Sequence, residues 1–437
     1  MGCLATAPTL IIRESRISED MAATRTVELS GHIIDSGMMQ RCFGIVMDMG
    51  GSFEVEEFAI GRRKDEKSYA RLEVTAADES ALKEILHQLH QNGATLSSSD
   101  DATLQPAPDD QVVPAGFYST TNHPTEVRVE GEWVPVDRIE MDCAIVVDTT
   151  ENTAETCPLN AVEADDLIVT GEAGIRVSPP ARPRDTAGPF GFMQGGISSE
   201  RPSLSLIGKV ADAIRETKAD DGTILAVCGP ALIHSGARRD LARLVRHGFI
   251  DAISAGNGFA VHDLERDLYG TSLGMNVDTL ENPRKGHKHH IYAISEVIRA
   301  GGIAEAVDAE IIQSGIMYEC VTNDVPYVLA GSIRDDGPLP DTITDAIEAQ
   351  NAIREQAHDA DLVIMLATLL HSVAVGNCLP STTPVVCVDI NPGTVTQLLD
   401  RGSSQAIGMV SDIGTFVPLL AQDLLEERVD MEALTED

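Results

Sequence analysis

The spacing of hydrophobic positions changes character three times along the 437 residues. From Thr24 the run TRTVELSGHII alternates apolar and polar residues as a half-buried strand does, and Asp35-Ser36-Gly37 reads as the turn that ends it. The segment CFGIVMDMGGSFEVEEFAIG predicts two elements bent at Gly50-Gly51, and YARLEV predicts a further strand. Between Asp78 and Gln91 the period becomes helical, with Leu82, Ile85, Leu86 and Leu89 on one face. These elements form an α+β unit expected over 24–111. Its last stretch, LSSSDDATLQPAPDDQ (96–111), is polar with two prolines and reads as a linker or exposed loop.

Residues 112–205 carry short strand-like runs (WVPVDRI, MDCAIVVD, DDLIVTGEAGIRV) and predict a small β-rich subdomain. It ends in SPPARPRDTAGPFGFMQGG, read as an inter-domain crossing or a substrate lid. From 206 to 437 apolar strands such as TILAVCGPALI, DLVIMLAT and PVVCVDI alternate with amphipathic helices such as ARRDLARLVRHG. That alternation predicts a Rossmann-like, doubly wound α/β domain, a parallel sheet with helices on both faces. Ligands of such sheets bind past the carboxyl ends of the strands. Residues 1–23 precede the patterned region and are expected to be a disordered extension.

Composition narrows the class. No stretch of about 18 uncharged apolar residues exists to span a bilayer. The first twenty residues lack the basic start and cleavage site of a secretory signal, so the expected location is the cytoplasm. Sixty-nine acidic residues face 32 basic ones, a net charge of −37, and lysines number seven against 25 arginines. The acidity is dispersed along the chain, which suits a surface hydrated in molar salt; we expect a halophilic protein. A basic face for nucleic acid is not expected. The eight cysteines form no CxxC pair and several lie in apolar runs, which points to free thiols in a reducing compartment.

A GxGxxG fingerprint is absent; Gly256-Asn257-Gly258 lacks the third glycine. Five turns rich in polar residues and glycine nevertheless follow apolar strands: 254–263, 330–341, 367–377, 388–393 and 410–414. Any one of them suits an ordinary βα loop, but five in series point to a nucleotide-type site. Backbone amides in such turns can cradle a pyrophosphate, and Asp389, after PVVCV, can accept ribose hydroxyls.

The chain also resembles a known family. GHIIDSGMMQRCFGIVMDMGGSFEVEEFAIGRRKDEKSYARLEV is similar to the region shared with bifunctional lysine-ketoglutarate reductase/saccharopine dehydrogenases. AGNGFAVHDLE, GHKHHIYAISEVIRAGGI, VLAGSIRDDGPLPD, TLLHSVAVGNCLP, VDINP and MVSDIGTF resemble the archaeal ornithine cyclodeaminases and the carboxyl-terminal half of the cyanobacterial arginine dihydrolase/ornithine cyclodeaminases. The dihydrolase module of the latter has no counterpart here, so arginine hydrolysis is not expected. The resemblance implies conversion of ornithine to proline and ammonia. NAD would be the cofactor, held by Asn257, Gly258, Asp335, Thr368, Leu369, Leu370, His371, Asp389, Ser411, Asp412 and Ile413. The family pattern usually carries Ala where Gly258 stands.

In that reaction hydride leaves the α-carbon for NAD⁺, the δ-amine displaces ammonia, and the cyclic imine regains hydride. It needs a base near neutrality, a cation for the carboxylate and a partner for the δ-ammonium. His262 and Asp263, with His287, His289 and His290, are the candidates for base and proton carrier; we take Asp263, His262 and His290 forward as catalytic. Arg41, Arg62 and Arg63 could clamp the carboxylate if the first domain closes over the site, and are otherwise surface charge. His287-Lys288-His289-His290 invites a zinc reading, but no carboxylate or cysteine lies at a partner spacing, so no metal is expected. A homo-oligomer is expected. The alternatives are an NAD-dependent amino-acid dehydrogenase of saccharopine type and a non-catalytic sensor of NAD or amino acid.

Overall fold

A computed structural model describes residues 22–34, 37–63, 66–96, 100–179, 203–276, 279, 281, 286–335, 337–400 and 406–425. Most of the expected amino-terminal extension and nearly all of the 178–196 stretch lie outside the described residues. The chain forms two compact units, Met1–Ile60 with Lys67–Ser97, and Gly61–Glu66 with Ser98–Asp437.

The first unit contains β1 (Ala23–Gly31), α1 (Met38–Asp48), β2 (Ser52–Ala59), β3 (Ser68–Ala76), α2 (Glu79–Gln91) and β4 (Thr95–Leu96). Its sheet runs β2-β3-β1-β4, with β1, β2 and β3 pairing antiparallel. Alternate residues of β3, from Ala70 through Leu72 and Val74 to Ala76, are buried against Leu82, Ile85, Leu86 and Leu89 of α2. The Asp78 side chain starts that helix by accepting the Ala81 N–H at 2.8 Å.

The second unit opens with a seven-stranded sheet: β5 (Thr103–Pro106), β6 (Thr125–Val129), β7 (Glu132–Asp137), β8 (Ala144–Asp148), β9 (Thr153–Cys157), β10 (Leu167–Thr170) and β11 (Ile175–Val177), ordered β11-β6-β7-β9-β8-β10-β5. Part of the expected linker is therefore an edge strand. Pro106 can occupy it because the last residue of an edge strand needs no ladder N–H.

The rest of this unit runs α3 (Ser203–Ala219), β12 (Ile224–Cys228), α4 (Ala231–His234), α5 (Arg238–Arg246), β13 (Ala252–Gly256), α6 (Asn257–Tyr269), the hairpin β14 (Thr271–Ser272) and β15 (Met275–Asn276), α7 (His289–Ala300), α8 (Ile303–Asp308), α9 (Ile316–Thr322), β16 (Tyr327–Ala330), β17 (Thr342–Ile343), α10 (Ala346–His358), β18 (Leu362–Leu366), α11 (Leu370–Cys378), β19 (Val385–Asp389), α12 (Pro392–Asp400), β20 (Ala406–Val410) and α13 (Ile413–Leu425). Its sheet is parallel throughout, in the order β17-β16-β13-β12-β18-β19-β20. Apart from the edge strand β17, the chain order reads 3-2-1-4-5-6 across the sheet. This is the Rossmann arrangement, with its topological switch between β12 and β18. Both faces are buried: Ile224, Ala226 and Cys228 of β12 join one core, Leu225 and Val227 the other. That explains why the strands read as unbroken apolar runs. No helix among the described residues is long and apolar enough to cross a membrane.

A buried ion pair joins the two sheets of this unit. Arg354 of α10 donates from Nε to both carboxylate oxygens of Glu140 at 2.7 and 2.9 Å. Around it His123 Nδ1 meets Ser381 Oγ at 2.8 Å, and the Ser381 N–H reaches the Asn122 carbonyl at 2.6 Å. Glu140→Gln leaves a buried guanidinium uncompensated and should cost about 3 kcal/mol in denaturant unfolding at fixed salt. The double change Glu140→Met with Arg354→Leu should recover most of that loss.

Candidate active site

The carboxyl ends of the parallel strands converge on a cleft of about 710 Å³, whose described lining comes from residues 228–371 of the second unit. Two glycines make room at its floor. At Gly229, just past β12, a Cβ would lie 2.0 Å from the Ala367 carbonyl oxygen, and its N–H donates to the Leu366 carbonyl at 2.9 Å. The backbones of Gly229 and Ala367 are thus in close contact at the switch point. At Gly256 a Cβ would come within 3.0 Å of the His371 ring, so that imidazole rests on bare backbone. Asn257 then opens α6, a helix of 13 residues whose first N–H groups face the strand ends and have no partner within the helix.

Three imidazoles follow one another along the lining. His234 and His262 meet edge to face with ring centroids 5.0 Å apart, and His262 and His290 lie 6.4 Å apart. His262 Nδ1 is 2.9 Å from Glu265 Oε2, one helical turn further on. Glu265 is fully buried; Oε1 also accepts the Thr271 hydroxyl at 2.8 Å and the Gly274 N–H at 2.9 Å, and Oε2 the Leu273 N–H at 3.1 Å. Burial pushes this carboxyl up, but hydrogen bonds from His262, Thr271 and Gly274 outweigh it and hold the group below its ordinary range. The Thr271 hydroxyl in turn meets His289 Nδ1 at 2.8 Å, and His234 Nδ1 meets Ser272 Oγ at 2.7 Å. Burial, then the neighbouring His262, pulls His234 down to about 4 against the opposing pull of Glu265. Burial also lowers His371, opposed by Asp335, and raises the Cys228 thiol, which stays protonated.

The structure separates the expected residues. Asp263 faces away from the cleft: fully buried, it accepts Arg238 Nε at 2.5 Å and the Met317 N–H at 2.8 Å, tying α5 and α9 to α6. It is not among the described residues lining the cleft, because neighbours one residue apart on a helix point about 100° apart. The partner of His262 is Glu265, at the i,i+3 spacing that places two side chains on one face. His234 and Arg334 also line the cleft and had no place among the expected residues. The His287-Lys288-His289-His290 segment divides: His287 and His290 line the cleft, while His289 is bound to Thr271 and stacks on Tyr269. Among the described residues no group of three or more His, Cys, Asp or Glu could hold a metal ion.

Asn257 is buried at the cleft, its side chain accepting the Leu339 N–H and the Thr342 hydroxyl and donating to the Gly337 carbonyl. At Gly258 a Cβ would meet nothing nearer than Pro230 Cγ at 4.0 Å, so alanine would fit equally well. Asp335 lines the cleft and accepts the Ser332 N–H at 2.7 Å. Leu370 and His371 line it too; Thr368 and Leu369 precede α11. Asp389 ends β19, where one oxygen accepts the Asn391 N–H at 2.7 Å, and Ser411, Asp412 and Ile413 follow β20. Arg41 is exposed on α1 of the first unit, and Arg62 is exposed beyond β2. Asp263→Asn should lower stability by about 2–3 kcal/mol in urea unfolding, leaving Arg238 buried without its charge partner. It should leave the imidazole resonances of His262 unchanged, whereas Glu265→Gln should move them.

The sequence matches three family descriptions end to end: the LOR/SDH bifunctional enzyme conserved region over 24–123, the first region of the arginine dihydrolase ArgZ-like C-terminal part over 124–207, and its Rossmann fold over 208–420. The ornithine cyclodeaminase of Methanothermobacter thermautotrophicus is 53% identical over 92% of this chain and 98% of its own length. Among solved structures, apo ArgZ, a cyanobacterial arginine dihydrolase, superposes with a TM-score of 0.82 at 36% identity over 96% of this chain. AgrE in ternary complex with ornithine and NAD⁺ superposes with a TM-score of 0.50 at 39% identity over 95% of this chain. This chain spans about 60% of the ArgZ chain and 58% of the AgrE chain. With a relative more than half identical along nearly the full length of both chains, the protein belongs to the archaeal ornithine cyclodeaminase family.

Proposed function

We propose that this chain is an NAD-dependent ammonia-lyase that converts L-ornithine to L-proline and ammonia. The observation that carries the reading is the His262–Glu265 pair, set in a cleft at the strand ends of a 3-2-1-4-5-6 sheet, in a chain of this family. The residues present fit NAD. N–H groups at the openings of α6 and α11 offer donors for pyrophosphate oxygens. Asp389 keeps its second carboxylate oxygen without a partner among the described residues, available to ribose hydroxyls. Asp389, Ser411, Asp412 and Ile413 lie past β19 and β20, whereas the histidines lie past β12 and β13, so the adenosine belongs over the β19–β20 half. Asp335, Thr368, Leu369, Leu370 and His371, with the backbone of Asn257 and Gly258, would hold the remainder.

NAD supplies hydride exchange, accepting hydride at the α-carbon and returning it to the ring, so that no net oxidation occurs. The protein manages the protons. Ornithine arrives with two ammonium groups, and each must lose a proton before the ring closes. Both protons are returned, one to the departing ammonia and one to the ring nitrogen. His262 and His290 are the carriers we assign. Glu265 fixes the His262 ring through Nδ1, leaves Nε2 for the substrate, and stabilises the imidazolium that forms.

Arg334 is the one fixed positive charge among the described residues lining the cleft, which supports it as the holder of the substrate carboxylate. We assign the enzyme to the cytoplasm, as a homo-oligomer.

Incubation with labelled ornithine and NAD⁺ in molar KCl should give equal amounts of proline and ammonia without accumulating NADH. Accumulation of NADH in place of proline would instead indicate a dehydrogenase, and ligand binding with no ammonia a sensor. Glu265→Gln should lower kcat by at least about 10²-fold. Arg334→Gln should raise KM for ornithine about tenfold to a hundredfold with kcat changed far less. An unchanged KM would remove Arg334 from the substrate.

A further inference from the structure

Two imidazoles of the cleft have no task in this scheme, His234 and His287; of these His234, the last residue of α4, sits against the His262 ring. We propose that His234, anchored by Ser272, is a further catalytic residue that remains a neutral imidazole and accepts a hydrogen bond from the reacting amine, while the His262–Glu265 pair carries the proton. The proposal rests on the cyclodeaminase reading for the identity of that amine.

The geometry gives the two neighbouring rings different partners. Both are pinned through Nδ1 and so present Nε2 as their remaining polar atom. His262 is pinned by a carboxylate at 2.9 Å, His234 by a hydroxyl at 2.7 Å. With centroids 5.0 Å apart, the rings cannot both carry charge without mutual repulsion, and only one of them touches the carboxylate that would offset it. The groups acting on His234 are His262 and Glu265, both of α6, and burial adds to the penalty on its charged form. A positive charge on this wall is offset by a carboxylate in contact only at His262.

That division suits a diamine. A cationic ring at His234 would repel the ammonium groups of the substrate and could not accept an N–H. A neutral ring accepts an N–H from the deprotonated amine and turns its lone pair toward the carbon to be attacked. Adjacent titratable groups whose surroundings push them apart mark a division of labour between proton carrier and neutral polar partner. One hairpin serves both rings: Thr271 binds Glu265 behind His262, and Ser272 binds His234.

The test uses the full chain with NAD⁺ and ¹⁵N-labelled imidazoles. A ring whose folded pKa is depressed charges first in the unfolded chain, so its neutral folded form persists well below the ordinary histidine range. His234 should accordingly show neutral-ring shifts from pH 8 down to about 5.5, bracketing the ordinary value, and should move when ornithine is added. His234→Gln should lower kcat about 10²-fold with KM changed less than about threefold. Ser272→Ala, which removes only the anchoring hydroxyl, should lower kcat in the same direction by about tenfold and guards against a misfolded His234 variant. Titration of His234 within that pH range, no shift on adding ornithine, or a His234→Gln enzyme as fast as the parent would each overturn the proposal. A parent enzyme that makes no proline would overturn the cyclodeaminase reading instead, and the ornithine-induced shift would still decide whether His234 meets the amine.

Discussion

The chemical wall of the cleft depends on one buried carboxylate. Removing a carboxylate from water costs several kcal/mol, and the penalty is tolerable only when donors fill its lone pairs. Glu265 has four: His262 Nδ1, the Thr271 hydroxyl, and the N–H groups of Leu273 and Gly274. Each donor is also a part of the site. The first is the proton carrier we propose, and the others fold the chain back in the hairpin that precedes His287 and His290. Gly274 sits there at φ 74°, and a Cβ on it would lie 2.6 Å from the Gly286 carbonyl, so the turn tolerates no side chain. One negative charge therefore sets both the electrostatics of the base and the path of the backbone carrying its neighbours.

This arrangement also explains what the sequence could and could not convey. The sheet was legible because a strand buried on both faces must be apolar at every position, as ILAVC and LVIML are. The turns after those strands were legible as candidate ligand contacts in kind, but not in detail. Asn257 looked like a cofactor residue, yet its side chain holds the 337–342 loop. Adjacent His262 and Asp263 looked like a catalytic pair because they are consecutive, although a helix turns consecutive residues apart. The signal for Glu265 was present as the i,i+3 spacing in HDLE. His234 carried no such signal, since its partner Ser272 is 38 residues away and meets it only in the folded chain. The helices of 303–322 escaped periodicity for a related reason: α8 and α9 are six and seven residues long, too short to establish a stripe.

A chain with a net charge of −37 that handles a substrate with two ammonium groups and one carboxylate risks holding it too tightly in the wrong place. The described lining avoids this, with imidazoles, backbone amides and Arg334 outnumbering the one carboxylate, Asp335. Glu265 is kept behind His262, out of reach of an ammonium group. Where a glycine-rich fingerprint is absent, Gly229 and Ala367 are in backbone contact at the switch point, and the phosphate donors we propose are those of the helix openings of α6 and α11.

The junction between the β-rich sheet and the Rossmann sheet shows how brine would sort the contacts of this molecule. In molar salt the screening length shrinks to about 3 Å, comparable to the ion pairs themselves. Arg138–Glu355, with side chains 40% and 65% exposed, lies within reach of that ionic atmosphere. Arg354–Glu140, at 9% and 3%, does not. Dissolved ions thus weaken the outer contacts while the inner one keeps its strength, and the seam is left riveted at its centre and loose at its rim.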